Sequence, residues 1–427
     1  MPIRALSSLA MLLAVLASCM LNTRVLAFQQ EGSNSQRIAE TLESARAALI
    51  EIRRDLHRHP EVSGQEQRTA GVVAERLRAL GLTVETGVGG HGVVGVLQGG
   101  KPGPIVAYRA DMDAVRSSAP DPVPFRSETP GVRHICGHDI HTTTALGVAE
   151  ALAAIRDDLP GTVKFIFQPA EEAEPLGGRT LVQEGHLDDV DGVIGIHVDP
   201  LIESGVIGVR AGAFACSADE FDIQILGKSA HGGKPHEGVD AITVAAGVIQ
   251  ELQKVPARQK DPAIPLVITI GSIHGGTARN IIADTVTMKG TVRTMSEEVR
   301  ALAHKRIRDL SVNLARAHGA DAKVEITTGE PVLVNDDAMV DLIREAVKDV
   351  VGSEKVFSAE PWTAADDFAF YCEVKPSVYF RLGVGNRDKG IDSGLHQPDF
   401  VVDEDALPIG AAVLIRAAQR FLSGPDS

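Results

Sequence analysis

The chain reads as an α/β protein: a mainly parallel sheet flanked by helices, interrupted by an inserted ferredoxin-like α+β domain. Two observations predict this. First, three apolar, β-prone runs, 105–108, 162–167 and 192–196, alternate with segments of helical period. Each run is followed by residues able to act as acids, bases or ligands: Arg109-Ala-Asp111-Met-Asp113, Gln168-Pro-Ala-Glu171-Glu172 and His197. The carboxyl ends of buried strands are where open α/β sheets place their chemistry. Second, the texture changes near Ala218. Phe221, Ile223 and Ile225 alternate with Asp222 and Gln224, as in a strand with one wet face, and the order strand, helix, two strands, helix, strand follows.

At 427 residues the chain has room for about two to three domains of roughly 150 residues. A hydrophobic content of 44% and a charged content of 23% describe a soluble globular protein. The formal net charge of -15 excludes a basic nucleic-acid footprint and affinity for anionic membrane surfaces.

The amino-terminal segment is a separate unit. Arg4 precedes the apolar run Leu9–Ala17, too short to span a bilayer, and Val25-Leu26-Ala27 offers a small-residue cleavage site before Phe28. The expectation is a signal peptide over 1–27 and an exported protein, periplasmic or secreted. Leu16-Ala-Ser-Cys19 supplies the competing reading, a lipoprotein box with Cys19 lipidated and the protein tethered to a membrane. An uncleaved anchor is a third.

Ile38, Leu42, Ala45, Leu49, Ile52 and Leu56 recur at helical spacing until His59-Pro60 forbids continuation, which leaves His57 and His59 as helix-end packing residues. A second helix is expected from Glu66 to Leu80, closed by Gly81. Strands over 82–85, 93–97 and 105–108 follow, with the acidic residues Asp111 and Asp113 just beyond the third. A helix through Leu146, Val148, Ala151 and Leu152 leads to the strand at 162–167, and a short helix over 178–184 leads to the strand that ends at His197. The inserted domain is bounded at 216–330, dividing the catalytic domain into 38–215 and 331–427. In its second part, Val378–Arg381 forms a strand and Leu407–Leu422 a terminal helix, with a loop at Gly394–Pro398 bearing His396 between them. Cys216 and Cys372 read as buried free thiols.

The centre of this organisation is Cys136-Gly-His138-Asp139. A thiolate and an imidazole two residues apart can face one point, and the following helix would hold them rigidly. Such a pair suits zinc or another late divalent metal, with Asp139 placed to orient the histidine. The remaining ligands must come from elsewhere in the chain. In the adjacent pair Glu171-Glu172, one carboxylate could bind metal while the other stays free to carry protons.

Taken together, these segments resemble the dinuclear metallohydrolases that include aminoacylases, carboxypeptidase G and hippurate hydrolase, specifically the amidohydrolase subgroup acting on auxin-type and other N-acyl amino acid conjugates. The matching blocks are 55–61, 109–113, 134–139, 167–172, 195–198, Ser229-Ala-His231-Gly, Gly275-Gly-Thr-Ala-Arg-Asn280 and Leu395-His396. The resemblance implies an enzyme with two divalent metal ions per subunit, zinc or manganese foremost and cobalt or nickel also admissible. Their ligands would be Cys136, His138, Glu172, His197 and His396, with Cys136 the bridge. It implies that Glu171 is the general base serving a metal-activated water and that Asp113 orients the site. His231 would stabilise the oxyanion from the inserted domain, which serves as lid and homodimer interface, and Asn280 would contact substrate. The implied reaction is hydrolysis of the amide bond of N-acyl amino acids. A dipeptidase or carboxypeptidase with the same catalytic residues is the alternative, and a catalytically silent binding protein is a further one. The chain departs from the family's pattern at Asp199, where relatives often carry a bulky aromatic, and over Trp362–Phe368. Both departures would shape the substrate pocket.

Overall fold

The computed structural model describes residues 32–424; the features expected at Arg4 to Phe28, Cys19 included, lie outside the described residues. Packing divides the chain into two compact units. The first takes the described residues up to Gly212, Asn335–Ala359 and the chain from Tyr371 onward, and the second takes Ala213–Val334 and Glu360–Phe370. Among the described residues, no helix is long and apolar enough to cross a membrane.

The first unit opens with helices α1 (Gly32–Arg58) and α2 (Gln67–Ala79). Strands β1 (Thr83–Val88), β2 (Gly92–Gln98) and β3 (Lys101–Asp111) follow, then α3 (His138–Ala154), β4 (Pro160–Gln168), α4 (Gly177–Gln183), β5 (Gly192–Glu203) and β6 (Ile207–Val209). The second unit contributes β7 (Ser217–Leu226), α5 (Ala241–Leu252), β8 (Leu266–Gly275), β9 (Thr285–Thr294), α6 (Glu297–Ala317) and β10 (Asp321–Thr328). The first unit resumes with α7 (Asp337–Val350), β11 (Val356–Ser358), β12 (Ser377–Gly385) and α8 (Ala406–Ser423).

The sheet of the first unit runs β1-β2-β4-β3-β5-β12-β6-β11. Its centre is parallel: β3 pairs in parallel with β4 and β5, and β12 with β5, while β2 joins β4 antiparallel at one side. Val163, Phe165, Phe167, Val193 and Ile194 are fully buried, as central strands covered on both faces require. The apolar stripe of α1, Ile38, Leu42, Ala45 and Leu49, lies in the same core as Leu146, Val148 and Leu152 of α3.

Two strands run further than their apolar runs suggest. β3 continues through Arg109 and Asp111, which pair with Ile166 and Gln168 of β4. β5 passes His197 without ending, because β12 extends the parallel ladder through Arg381↔His197 to Gly383↔Asp199. A polar residue does not terminate a strand whose neighbours still supply backbone partners, provided its side chain finds partners of its own.

The second unit has the sheet order β8-β9-β7-β10 with antiparallel neighbours, the arrangement of a ferredoxin-like sandwich. Phe221, Ile223 and Ile225 point into a core shared with Val244 and Val248 of α5 and Ala303 and Ile307 of α6. Asp240 caps α5 by accepting the Ile242 N–H at 3.0 Å, and Ser296 caps α6 at Val299. Buried Asp219 accepts hydrogen bonds from Arg300 Nε (2.8 Å), His304 Nε2 (2.7 Å) and the Gly329 N–H (3.0 Å). Burial opposes its ionisation, but Arg300 and His304 outweigh that and hold its carboxyl at about 2.

Candidate metal centre

The site starts at Gly137, the residue before α3. Its φ of 94° lies in the left-handed region, and a Cβ there would stand 2.3 Å from Val198 Cγ2. Only glycine fits this turn, which places Cys136 before the helix and His138 in its first turn. Residues 138–149 of α3 are all buried, so the helix cannot pivot without disturbing the core around it.

Hydrogen bonds decide which ring nitrogens are available. His138 Nδ1 donates to Asp113 Oδ1 at 3.2 Å, leaving Nε2 buried with no hydrogen-bond partner among the described residues. His197 Nδ1 donates to the Val198 carbonyl at 2.7 Å, which turns its Nε2 to Cys136 Sγ at 3.4 Å. His141 differs: its Nε2 accepts the Val198 N–H at 2.9 Å and its Nδ1 donates to Asp111 at 2.6 Å. Both nitrogens of His141 are thereby committed, so the cluster of Asp111, His138 and His141 has no free imidazole lone pair on that ring to offer a metal.

The carboxylates arrive on the loop after β4. Glu171 Oε2 and Glu172 Oε1 stand 4.0 and 3.9 Å from His138 Nε2. The Glu172 N–H donates to Asp113 Oδ2 at 3.0 Å, so Asp113 holds the histidine with one oxygen and the glutamate backbone with the other. His396, at a left-handed φ of 60°, brings Nε2 to 3.2 Å from Glu172 Oε1, and its N–H is tied to the Ile135 carbonyl at 2.8 Å. Donor atoms within 4.8 Å of one another form the sets Cys136–His138–His197, Cys136–Glu172–His396 and His138–Glu171–Glu172. Cys136 belongs to two of them.

This donor chemistry fits a pair of divalent cations. Burial, followed by Glu172, Glu171 and Asp111, pushes the Cys136 thiol well up, so its thiolate needs a cation beside it. Burial disfavours a charged His138, but Asp111 and Asp113 on its Nδ1 side, with Glu172 near Nε2, outweigh it and push the ring up to about 10. Burial holds His197 well down, as a neutral ligand requires.

The structure therefore brings Asp113, Cys136, His138, Glu171, Glu172, His197 and His396 together in the first unit. His231 and Asn280 belong to the second, where they are neighbours: His231 pairs with Ile281, and the Gly232 N–H donates to the Asn280 carbonyl at 2.7 Å. Asp139 does not orient His138. It accepts from His57 Nδ1 at 2.9 Å and pairs with Arg53 at 2.8 Å, while His57 Nε2 meets Asp121 at 3.0 Å. His57 is thus a buried member of a charged network rather than a helix-end packing residue. Burial works against its charge, but Asp121 and Asp139 raise its pKa. Asp111 stands out in the sequence at its strand end but its pairing with His141 does not, and His141, Ser63 and Glu66 escape a reading of local spacing altogether, because the partners lie about 30 to 100 residues away.

Residues 107–420 match the family model described as peptidase family M20/M25/M40. The chain belongs to this family. It is 39% identical over 376 residues to a thermostable carboxypeptidase of Saccharolobus solfataricus, covering 87% of this chain and 95% of that protein. It is 33% identical over 378 residues to an IAA-amino acid hydrolase of Arabidopsis thaliana, covering 88% of this chain and 85% of that protein. Among solved structures, a dinuclear metal binding peptidase of the M20 family from Bacillus subtilis superposes with a TM-score of 0.78 at 32% identity, over 89% of this chain and 99% of that one. As a member of the M20 family the chain is a metal-dependent hydrolase of the amidohydrolase or peptidase type.

Proposed function

We propose that the protein hydrolyses the amide bond of N-acyl amino acids. The observation that carries this reading is the pair of donor sets that share Cys136, with Glu171 beside them on the same loop. Cys136, His138 and His197 would hold one divalent ion and Cys136, Glu172 and His396 the other. When bound, such ions lower the pKa of water and polarise a carbonyl. Glu171, 4.0 Å from the open nitrogen of His138, accepts the proton of the attacking water and delivers it to the leaving amine. Asp113 keeps His138 in the tautomer whose Nε2 faces the site. His231 stabilises the developing oxyanion and Asn280 contacts the substrate, both from the second unit of a homodimer.

The similarity to an IAA-amino acid hydrolase supports the acyl substrate, whereas the similarity to a carboxypeptidase supports a second reading, removal of carboxyl-terminal residues from peptides. Asp199 lies on the same face of β5 as His197 and pairs with Arg381 at 3.1 Å, so a charged pair stands where a pocket wall is expected. The apolar side chains of Val267 and Ile273 are half exposed on β8, an edge strand, which supports association through the second unit. Export follows from the leader over 1–27, with lipidation at Cys19 as the competing outcome.

The test is a panel of N-acetyl and N-benzoyl amino acids, their carboxyl-amidated forms and dipeptides, assayed with zinc- or manganese-reconstituted protein. Cleavage of the N-acyl acids ahead of dipeptides supports the first reading. Preference for peptides supports the second, and the absence of any cleavage contradicts both.

A further inference from the structure

Glu66 is fully buried at the start of α2, remote in sequence from the carboxylate pair. Its Oε1 accepts the Gly64 N–H and the Ala170 N–H, each at 2.8 Å, while its Oε2 is buried without a hydrogen-bond partner among the described residues. Ala170 immediately precedes Glu171 and has a φ of 50°, in the left-handed region. An alanine held there is strained and stays only if its surroundings impose it. Two hydrogen bonds do so: Glu66 takes its N–H, and its carbonyl accepts the Gly177 N–H at 2.8 Å. Gly177 is itself constrained, since a Cβ there would lie 1.8 Å from the Pro169 carbonyl oxygen.

The same short segment grips the site from its other side. Ser63 Oγ donates to Asp113 Oδ2 at 2.6 Å, the oxygen that also accepts the Glu172 N–H. Residues 63–66 therefore fix both the support of His138 and the turn that launches Glu171 and Glu172.

We infer that Glu66 is a positioning residue for the proposed hydrolysis, its carboxylate setting the Ala170 turn from which Glu171 and Glu172 face His138. The inference rests on the roles proposed for those two glutamates. Charge on Glu66 is not what the turn needs, because an amide oxygen accepts the same two N–H groups.

The experiment compares Glu66→Ala and Glu66→Gln in the full chain by three readouts: amide exchange of Ala170 without metal, zinc affinity by chelator competition, and kcat on the best panel substrate. For Glu66→Ala the expected results are loss of Ala170 protection, zinc affinity lower by about tenfold or more, and kcat lower by about 100-fold. Glu66→Gln should remain near wild type in all three. If Glu66→Ala fails to unfold cooperatively, Glu66→Asp, too short to reach both N–H groups, should show the same losses. Wild-type protection and affinity in the alanine variant, or in the aspartate variant where that one decides, would overturn the inference, as would equal losses in Glu66→Gln. Glu171→Gln is run alongside. Full activity in that variant would sink the proposed base, yet leave the exchange and affinity results to decide the role of Glu66.

Discussion

Asp113 makes three hydrogen bonds with two oxygens: His138 Nδ1 on one, Ser63 Oγ and the Glu172 N–H on the other. All three partners donate, so an amide can satisfy only one side. Asp113→Asn should therefore weaken zinc binding by about 10- to 100-fold while leaving the fold intact, read by chelator competition and circular dichroism. Unchanged affinity would show that the histidine needs no such anchor. His57 offers a pH test with a definite sign. Its folded pKa is raised by Asp121 and Asp139, so the stability it contributes is complete below the ordinary histidine value of about 6.5 and is lost as pH rises through the folded value. Urea midpoints should fall with rising pH above that point, and His57→Gln should flatten the dependence; an equal slope in the variant would remove His57 as its source. The thiol and imidazole of the metal centre were legible in Cys136-Gly-His138 because both partners sit in one turn. The partner of Asp139 was not, because His57 lies 82 positions away and local spacing carries no information about it.

At the level of elements, α3 is the part on which the site depends. Its amino terminus exists in this form because Gly137 is both left-handed and pressed against Val198. Gly137→Ala combines backbone strain with overpacking and should cost about 3 kcal/mol of stability, measured by urea unfolding of the metal-free protein. A cost below about 1 kcal/mol would mean that Val198 moves aside freely. The strands show how far an apolar pattern reaches. The runs at 105–108 and 192–196 located β3 and β5, but their ends slipped, since Asp111 and His197 continue ladders supplied by β4 and β12. Burial of a polar residue inside a sheet depends on its partners across the strands, and those come from distant parts of the chain.

At the level of the molecule, the second unit was readable from element order alone, because six alternating segments admit few antiparallel sheets and β8-β9-β7-β10 is the one formed. What tethers its helix α6 to the sheet was not readable: Asp219 receives Arg300, His304 and a backbone N–H in one buried cluster. The depressed pKa of Asp219 sets a sign for acid denaturation. Its contribution is present above the ordinary value of 3.8 and disappears as pH falls toward about 2. Asp219→Ala leaves Arg300 buried without its main partner and should destabilise the unit by about 3 kcal/mol at neutral pH. The single tryptophan, Trp362, belongs to that unit, so its fluorescence reports the transition. A wild-type midpoint in the variant would show that the cluster contributes nothing net.

The proposed reaction stands or falls on Glu171 acting as a base next to two bound metal ions. The most direct measurement is hydrolysis of an N-acyl amino acid by wild type and Glu171→Gln, each with its metal content determined on the same sample. Both proteins should hold two metal ions per chain, and the variant should be at least about 100-fold slower. A Glu171→Gln protein that retains both metals and the full rate, or a wild type that holds two metals and cleaves nothing, would contradict it.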